Sequence, residues 1–239
     1  EPAVRVAYVD DATAGFVAEG ADITEASPDL AEVLIHTGKI SQLVRLSNEQ
    51  YRQAGTPNAL ANSVRRAVTV AADKAFLTQT APTSPAVTPP AGLLNVTGIE
   101  TGGEVSGDLD TLVDLVATVQ ANGAQPSHVL LAPDAWTSLR NLKTATGSNA
   151  ALLGAGTDDA APRLLGIPVV VTGALSTGKG LVIDKGAVLS AVGPIMVAVS
   201  EHAYFGSDGT AIRCTWRFGA NVVRPDRIGS FTVAASTET

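Results

Sequence analysis

A single cysteine in 239 residues, Cys214, excludes an internal disulfide and a cysteine-based zinc site. A reducing compartment is therefore allowed. Long apolar runs are missing as well. The longest, 165–171 and 191–200, fall well short of the roughly 20 residues that span a bilayer, and Gly or Pro interrupts both. No membrane-spanning helix is expected. The chain opens on Glu1, and no basic start is followed by an apolar run, so nothing reads as a signal peptide. A basic excess is lacking too: the formal net charge is −7. That argues against a nucleic-acid reader, because phosphate binding needs a basic patch that releases counterions.

The residue patterns that carry chemistry are equally scarce. His36, His128 and His202 stand far apart with no ligand-like spacing, so no local metal site is expected and each reads as a structural histidine. There is no Gly-x-Ser-x-Gly elbow, and Cys214 falls on the apolar face of a strand, where a thiolate is disfavoured. The pairs Asp10-Asp11 and Asp158-Asp159 sit in turns, where acids are common, and adjacent residues do not form an acid/base pair. Asn95-Val96-Thr97 is a glycosylation sequon only on a secretory route, of which the sequence shows no sign. The segment 173–180 nearly spells a phosphate-binding loop. Gly180 stands where the magnesium-holding Ser or Thr belongs, and Leu-Val-Ile-Asp then reads as a strand where a helix N-terminus is needed, so a Gly-rich hairpin loop is expected instead. No cofactor is expected.

What the chain does contain is apolar content of 45%, ample for a core, and a lopsided charge. Residues 1–35 carry eight acids (Glu1, Asp10, Asp11, Glu19, Asp22, Glu25, Asp29, Glu32) against one base, Arg5, hence −7. The remaining residues carry fifteen of each sign. The whole excess thus sits in the first segment, which reads either as a solvated acidic surface or as an extended arm that docks on a basic strip of a neighbour.

Residues 3–18 read as two short strands, 3–9 and 14–17, about an Asp10-Asp11 turn, followed by acid-rich loop. Residues 33–46 form one extended run with Lys39 and Arg45 at polar positions. Ser47-Asn-Glu-Gln50 fits a capping box that opens a short helix. From Asn58 to Gln79, Leu60, Val64, Ala67, Val68, Ala71 and Ala75 recur at three- and four-residue steps, one face of a long helix. Four prolines in 81–91 make a loop. A second helix is expected over 109–121, capped by Asp108, closed by Asn122-Gly123 and burying Leu112, Leu115, Val116 and Val119. A buried strand over 127–131 precedes a helix opened by Pro133 that carries Trp136, Leu139 and Leu142 inward. A Gly- and Ala-rich loop over 147–161, a Leu-Gly-Ile-Pro-Val-Val-Val strand over 165–171 and a strand over 180–183 follow. In the last part Ile212, Cys214, Trp216 and Phe218 alternate with Arg213, Thr215 and Arg217, a half-buried strand with a basic outer row.

Several of these pieces, in this order and spacing, resemble the major capsid proteins of tailed bacteriophages. They are Ala21-Asp-Ile-Thr24, Val44-Arg-Leu-Ser47, the long helix from Asn58, Gly92-Leu-Leu-Asn95, Ala132-Pro-Asp-Ala-Trp136, Leu165-Gly-Ile-Pro-Val169 and the strand through Arg224-Pro225. The resemblance spans nearly the whole chain, and no motif in it is as specific as a catalytic signature. It implies an α+β chain of the Hong-Kong-97-type fold. Its parts would be an E-loop (1–35), a first piece of the peripheral P domain with the spine helix at 58–79 (36–91), a mixed α/β axial A domain (92–193), a second P-domain piece (194–219) and an A-domain return with the C-terminus (220–239). In that family an N-terminal arm precedes the E-loop, so the arm is expected to lie outside these residues.

What the resemblance implies is a structural role, not an enzyme: self-assembly into pentamers and hexamers of an icosahedral shell that encloses double-stranded DNA without reading its sequence. The shell would form in the host cytoplasm, with portal, scaffold or protease and decoration proteins as partners and no membrane. An acidic wall suits such a container, because like charge keeps packed duplex from adhering. Some family members lock the shell by an isopeptide bond from an E-loop lysine to a P-domain asparagine. Here residues 6–32 hold no lysine, Asp208 takes the asparagine's place and Thr215 follows Cys214, so no crosslink is expected. Expected subunit contacts pair the acids Asp10, Asp11, Glu19, Asp22, Glu25, Asp29 and Glu32 with Arg65, Arg66 and Lys74 of the long helix and Arg213 and Arg217 of the final strand. Two other readings stand beside this one: an encapsulin-type shell that encloses enzymes, and a cytosolic α/β enzyme.

Overall fold

The computed structural model describes residues 3–9, 16–17, 19–20, 22, 30–145, 148–154 and 162–235. In chain order its elements are β1 (Ala3–Val9), β2 (Leu30–His36), β3 (Gly38–Ser47), α1 (Asn48–Arg52), α2 (Thr56–Thr78), β4 (Glu100–Val105), α3 (Asp110–Ala121), β5 (His128–Leu131), α4 (Pro133–Arg140), β6 (Arg163–Leu164), β7 (Ile167–Val171), β8 (Lys179–Ile183), β9 (Val188–Val192), β10 (Met196–Tyr204), β11 (Gly209–Val222) and β12 (Ile228–Val233). They form three sheets: the β1-β2 hairpin, a four-stranded sheet in which β11 is flanked by β3 on one side and by β9 and β10 on the other, and a six-stranded mixed sheet in the order β4-β12-β8-β5-β7-β6.

The mixed sheet holds the main core. Helix α3 lays Leu112, Leu115, Val116 and Val119 on it as the periodicity requires, all of them buried. Gly123, at φ 79°, closes the helix in the left-handed conformation that a residue with a Cβ rarely adopts. Asp108 is not the cap: Leu109 holds that position, and the Asp108 carboxylate accepts from the Asp110 amide one step outside it. Leu139 is fully buried on α4, whereas Trp136 and Leu142 are only half-buried at the rim of the core.

Helix and sheet come this close because the strands beneath Leu115 lack side chains. A Cβ on Gly102 of β4 would stand 2.8 Å from Leu115 Cδ2 and 3.0 Å from its Cβ, and one on Gly229 of β12 would stand 2.8 Å from Leu115 Cδ1. Gly102→Val is therefore expected to lift α3 and cost about 1–3 kcal/mol by overpacking. For a chain of this size that lowers Tm by about 2–4 °C per kcal/mol. Thermal melts check this, and Leu115→Ala in the same chain should recover part of the loss.

The four-stranded sheet carries the second core. Helix α2, about 35 Å long by its rise per residue, packs Val64 and Val68 against Cys214, with Leu60, Ile40, Val44, Val197 and Trp216 around them. Its buried line continues through Ala72, while Ala67 and Ala71 are exposed. The expected apolar face is thus rotated by part of a turn, because α2 crosses the sheet along a strict four-residue row. The capping box at Ser47 and Gln50 forms in both directions.

Three expectations at the strands are corrected. Strand β1 is expected from the sequence to pair with 14–17. Its partner is β2, in register Val4↔Ile35 and Val6↔Val33, while Phe16 and Val17 lie outside any strand and 14–15 are outside the described residues. Nor is 33–46 one strand: the chain breaks at Thr37 and enters a different sheet, which periodicity cannot show because the alternation runs through the break. Finally, Leu165 and Gly166 are a turn and not strand. Their φ values of 52° and 79° make the paired left-handed conformation of a two-residue hairpin between β6 and β7.

Candidate functional site

The expected contact residues separate onto three surfaces. The first is the hairpin. Its two strands place Val4, Val6, Tyr8 and Val33 on one face, only half-buried, beside the fully buried Ile35 at the root. Arg5 Nη1 lies 3.2 Å from Glu32 Oε2, with both side chains more than half exposed. Glu32 is thus engaged within its own hairpin, by the one base of the acidic segment. Such an exposed pair contributes about 0.2–1 kcal/mol. Glu19 and Asp22 are exposed, and Phe16 is fully so. Asp10, Asp11, Glu25 and Asp29 lie outside the described residues.

The second surface is the solvent side of α2. Arg65, Arg66 and Lys74 are all exposed there, with Asp73 among them. The third is the opposite face of the four-stranded sheet. Directly paired residues of antiparallel strands share a face, so the register Arg213↔Leu43, Thr215↔Ser41 and Arg217↔Lys39 puts Arg213, Arg217 and Lys39 together, with Arg45 opposite Ala211. Ile212, Cys214 and Trp216, which alternate with this row, point at α2. The helix cations and the strand cations therefore lie on opposite sides of a helix-on-sheet layer.

The sheet face is the more uniformly basic of the two. Arg213 and Arg217 are about 13 Å apart along the strand. Among the described residues none of Lys39, Arg213 and Arg217 meets a carboxylate. Arg45 is partly committed: its guanidinium lies 4.7 Å above the Tyr204 ring and donates to Ser207 Oγ. Between the cations stand two exposed apolar side chains, Leu43 at 60% and Met196 at 64%. Sequence periodicity pointed to Arg213 and Arg217 alone, since the pairing that brings Lys39 and Arg45 beside them joins segments some 170 residues apart.

The hairpin root rises on this same face. Gly38 still pairs with Phe218 in the sheet, but His36 has moved over Gly219, whose missing side chain would point the same way as Arg217. Asn221 Nδ2 donates to Leu34 O at 3.2 Å.

The remaining candidates resolve into structural roles. Among the described residues there is no group of three His, Cys, Asp or Glu that could hold a metal ion. A crevice of about 560 Å³ lies where α2 ends beside β4, lined by hydroxyls such as Thr78, Thr101, Ser230 and Thr232 together with Glu104 and Lys179. Asn95 Nδ2 donates to Thr78 O and Gln79 O, closing α2. Asp208 adopts φ 45° at the tip between β10 and β11, where its carboxylate accepts from Asn48 Nδ2 and Thr210 Oγ1 donates to Asn48 Oδ1. This position holds a turn together and presents no side-chain amide. The near phosphate loop continues into β8, a strand, as its sequence requires.

Comparison with known proteins agrees with this architecture. The family model described as the phage capsid family matches residues 3–232. No curated protein matches the chain. Among solved structures, a chain of Mycobacterium phage Adephagia superposes with a TM-score of 0.76 at 16% identity, covering 100% of this chain and 87% of that one. A chain from the capsid of a native GTA particle gives 0.75 at 19% identity, covering 98% and 86%. One from Mycobacterium phage Bobi gives 0.74 at 20%, covering 99% and 87%. With a fold shared over nearly the full length, and a family match that spans all but the ends, this chain belongs to the phage capsid family and is a structural capsid protein.

Proposed function

We propose that this chain is the repeating subunit of an icosahedral shell around double-stranded DNA, and that subunits engage head to tail by laying the acidic hairpin segment of one across the cationic sheet face of the next. The observation that carries this reading is the division of charge. The −7 excess sits in residues 1–35. Among the described residues no carboxylate meets Lys39, Arg213 or Arg217 on their face, and the hairpin root stands on that side. A surface of one kind meeting a surface of another is a heterologous contact, which closes into rings such as pentamers and hexamers when the rotation fits. The exposed Leu43 and Met196 suit the half-buried apolar face of the hairpin and Phe16, so charge sets direction while apolar area adds affinity. An isolated two-stranded hairpin is marginally stable, which favours its ordering on a neighbour.

In this reading the hairpin is the E-loop, the four-stranded sheet with α2 is the P domain and the six-stranded sheet with α3 and α4 is the A domain. The pairing of β9 with β11 at Phe218↔Val192 through Val222↔Val188 supports extending the second P-domain piece, 194–219 by the resemblance, to 188–222. Portal, scaffold or protease and decoration proteins would be the further partners, and the host cytoplasm the site of assembly.

The purified protein, viewed by electron microscopy, is expected to form closed shells. Obligate contacts of this kind bury about 2,000 Å² or more. With no lysine in 6–32, boiled and reduced particles should run as one monomer band. A protein that stays monomeric at high concentration would overturn the shell reading, and a covalent ladder would overturn the noncovalent one.

A further inference from the structure

We infer that Gly219 and Asn221 are positioning residues: together they set the angle at which the hairpin leaves the body and so aim it at a second copy of the chain. The inference rests on the head-to-tail reading above but concerns a different part of the molecule, the root of the hairpin and not its landing surface. At Thr37 the chain leaves the plane of the four-stranded sheet and passes over β11. It can do so only because residue 219 has no side chain. A Cβ there would collide with the carbonyl oxygen of His36, and would stand 2.9 Å from that carbonyl carbon and 3.1 Å from Thr37 Cα. All three are backbone atoms, which no rotamer change can move aside. Ile35 and Thr37, at 1% and 7% exposure, clamp the root on either side of the crossing. Two residues along β11, Asn221 Nδ2 holds the Leu34 carbonyl at 3.2 Å. The root is therefore held at two points on one strand, a close backbone crossing and a hydrogen bond.

Two supports that lie close together govern a long lever. Positions 219 and 221 are about 7 Å apart along the strand, while the hairpin beyond runs for about 20 Å. Raising the root by about 1 Å at one support tilts the hairpin by roughly 8°, which moves its far end by about 3 Å. That displacement is as long as a hydrogen bond, so a contact made by the hairpin on a neighbour would be mis-set. Because every subunit carries the same root, the error repeats at each contact and changes the curvature of the assembly.

The test measures the angle in the free subunit and the outcome in the particle. Spin labels at Ala7→Cys on the hairpin and Ser63→Cys on α2, both exposed, report the hairpin-to-body distance by electron–electron resonance, with buried Cys214 left in place. Gly219→Ala is expected to shift that distance by about 2–3 Å, and Asn221→Ala to broaden its distribution. Both variants should keep the parent's circular dichroism, yet yield particles of altered or mixed diameter, or none. Asn221→Ala adds no atoms, so it keeps the inference testable should Gly219→Ala not fold. Distance distributions that superpose on the parent's overturn the inference. A shifted distance with particles of unchanged diameter overturns its claim on assembly. Neither result bears on the cationic landing face, which is judged by charge reversal at Arg213 and Arg217.

Discussion

Arg213→Glu combined with Arg217→Glu is expected to abolish shell formation at moderate salt while leaving the subunit folded. Both side chains are exposed on the sheet face away from α2, so neither contributes to the core around Cys214. The change removes two cations and adds two anions, taking the formal net charge from −7 to −11. Each exposed pair contributes about 0.2–1 kcal/mol, and reversal turns attraction into repulsion of similar size. The loss is then about 1–4 kcal/mol per contact, roughly fivefold to a thousandfold in its equilibrium constant. Repeated around a closed shell, this suffices to stop assembly.

The matching double reversal at Arg65 and Arg66, on the other side of the layer, is expected to have much the smaller effect. Shells of the parent should also loosen as salt rises, because the Debye length falls from about 10 Å at 0.1 M to about 3 Å at 1 M. Light scattering and electron microscopy of the two double variants decide the matter. Normal, equally salt-tolerant shells from the sheet-face variant would mean that apolar contacts of Val4, Val6, Tyr8 and Phe16 dominate docking and that the acids only keep free subunits soluble.

Phe231→Ala is expected to produce the largest loss of stability, about 3–5 kcal/mol, or a Tm lower by about 6–20 °C. Phe231 is 2% exposed in β12, and its partner in register on β8 is Gly180. The ring lies over that glycine so closely that a Cβ on residue 180 would stand 2.7 Å from Phe231 Cε1 and Cε2. An aromatic ring covering a strand glycine fills the gap the missing side chain leaves. Removing the ring opens a cavity that the flanking strands β12 and β5 cannot collapse to fill. Gly180→Val should be destabilising on its own, yet in combination with Phe231→Ala it should cost less than the sum, since the valine enters the space the ring vacates. Denaturant melts of the four members of that cycle provide the check, and strict additivity would contradict the packing argument.

The same pair explains why the segment 173–180 comes so near a phosphate loop and is not one. The glycine that stands in place of the magnesium ligand is required by a ring fifty residues further along. That residue 180 could not serve phosphate was readable from the chain alone, because the test is local: a missing hydroxyl, and a strand pattern where a helix is needed. Why a glycine stands there was not readable, because the reason is a cross-strand contact.

This division runs through the whole molecule. Helix α3 with its buried stripe, the capping box at Ser47, the basic outer row of β11 and the burial of Cys214 are consequences of periods and caps within a few residues, and the sequence by itself determined them. It also determined the charge division between residues 1–35 and the rest, as well as the absence of a lysine for a crosslink. The partner of β1, the break at Thr37, the turn at Leu165 and the rotation of the α2 face came from pairing and packing between distant segments, which local pattern does not encode. Only the tertiary structure decided that Lys39 and Arg45 join Arg213 and Arg217, and that Arg65, Arg66 and Lys74 lie on the far side. The physical reason is that side-chain alternation assigns each residue to a face of its own strand, while the register between strands, and the side on which a helix covers them, assigns that face its neighbours.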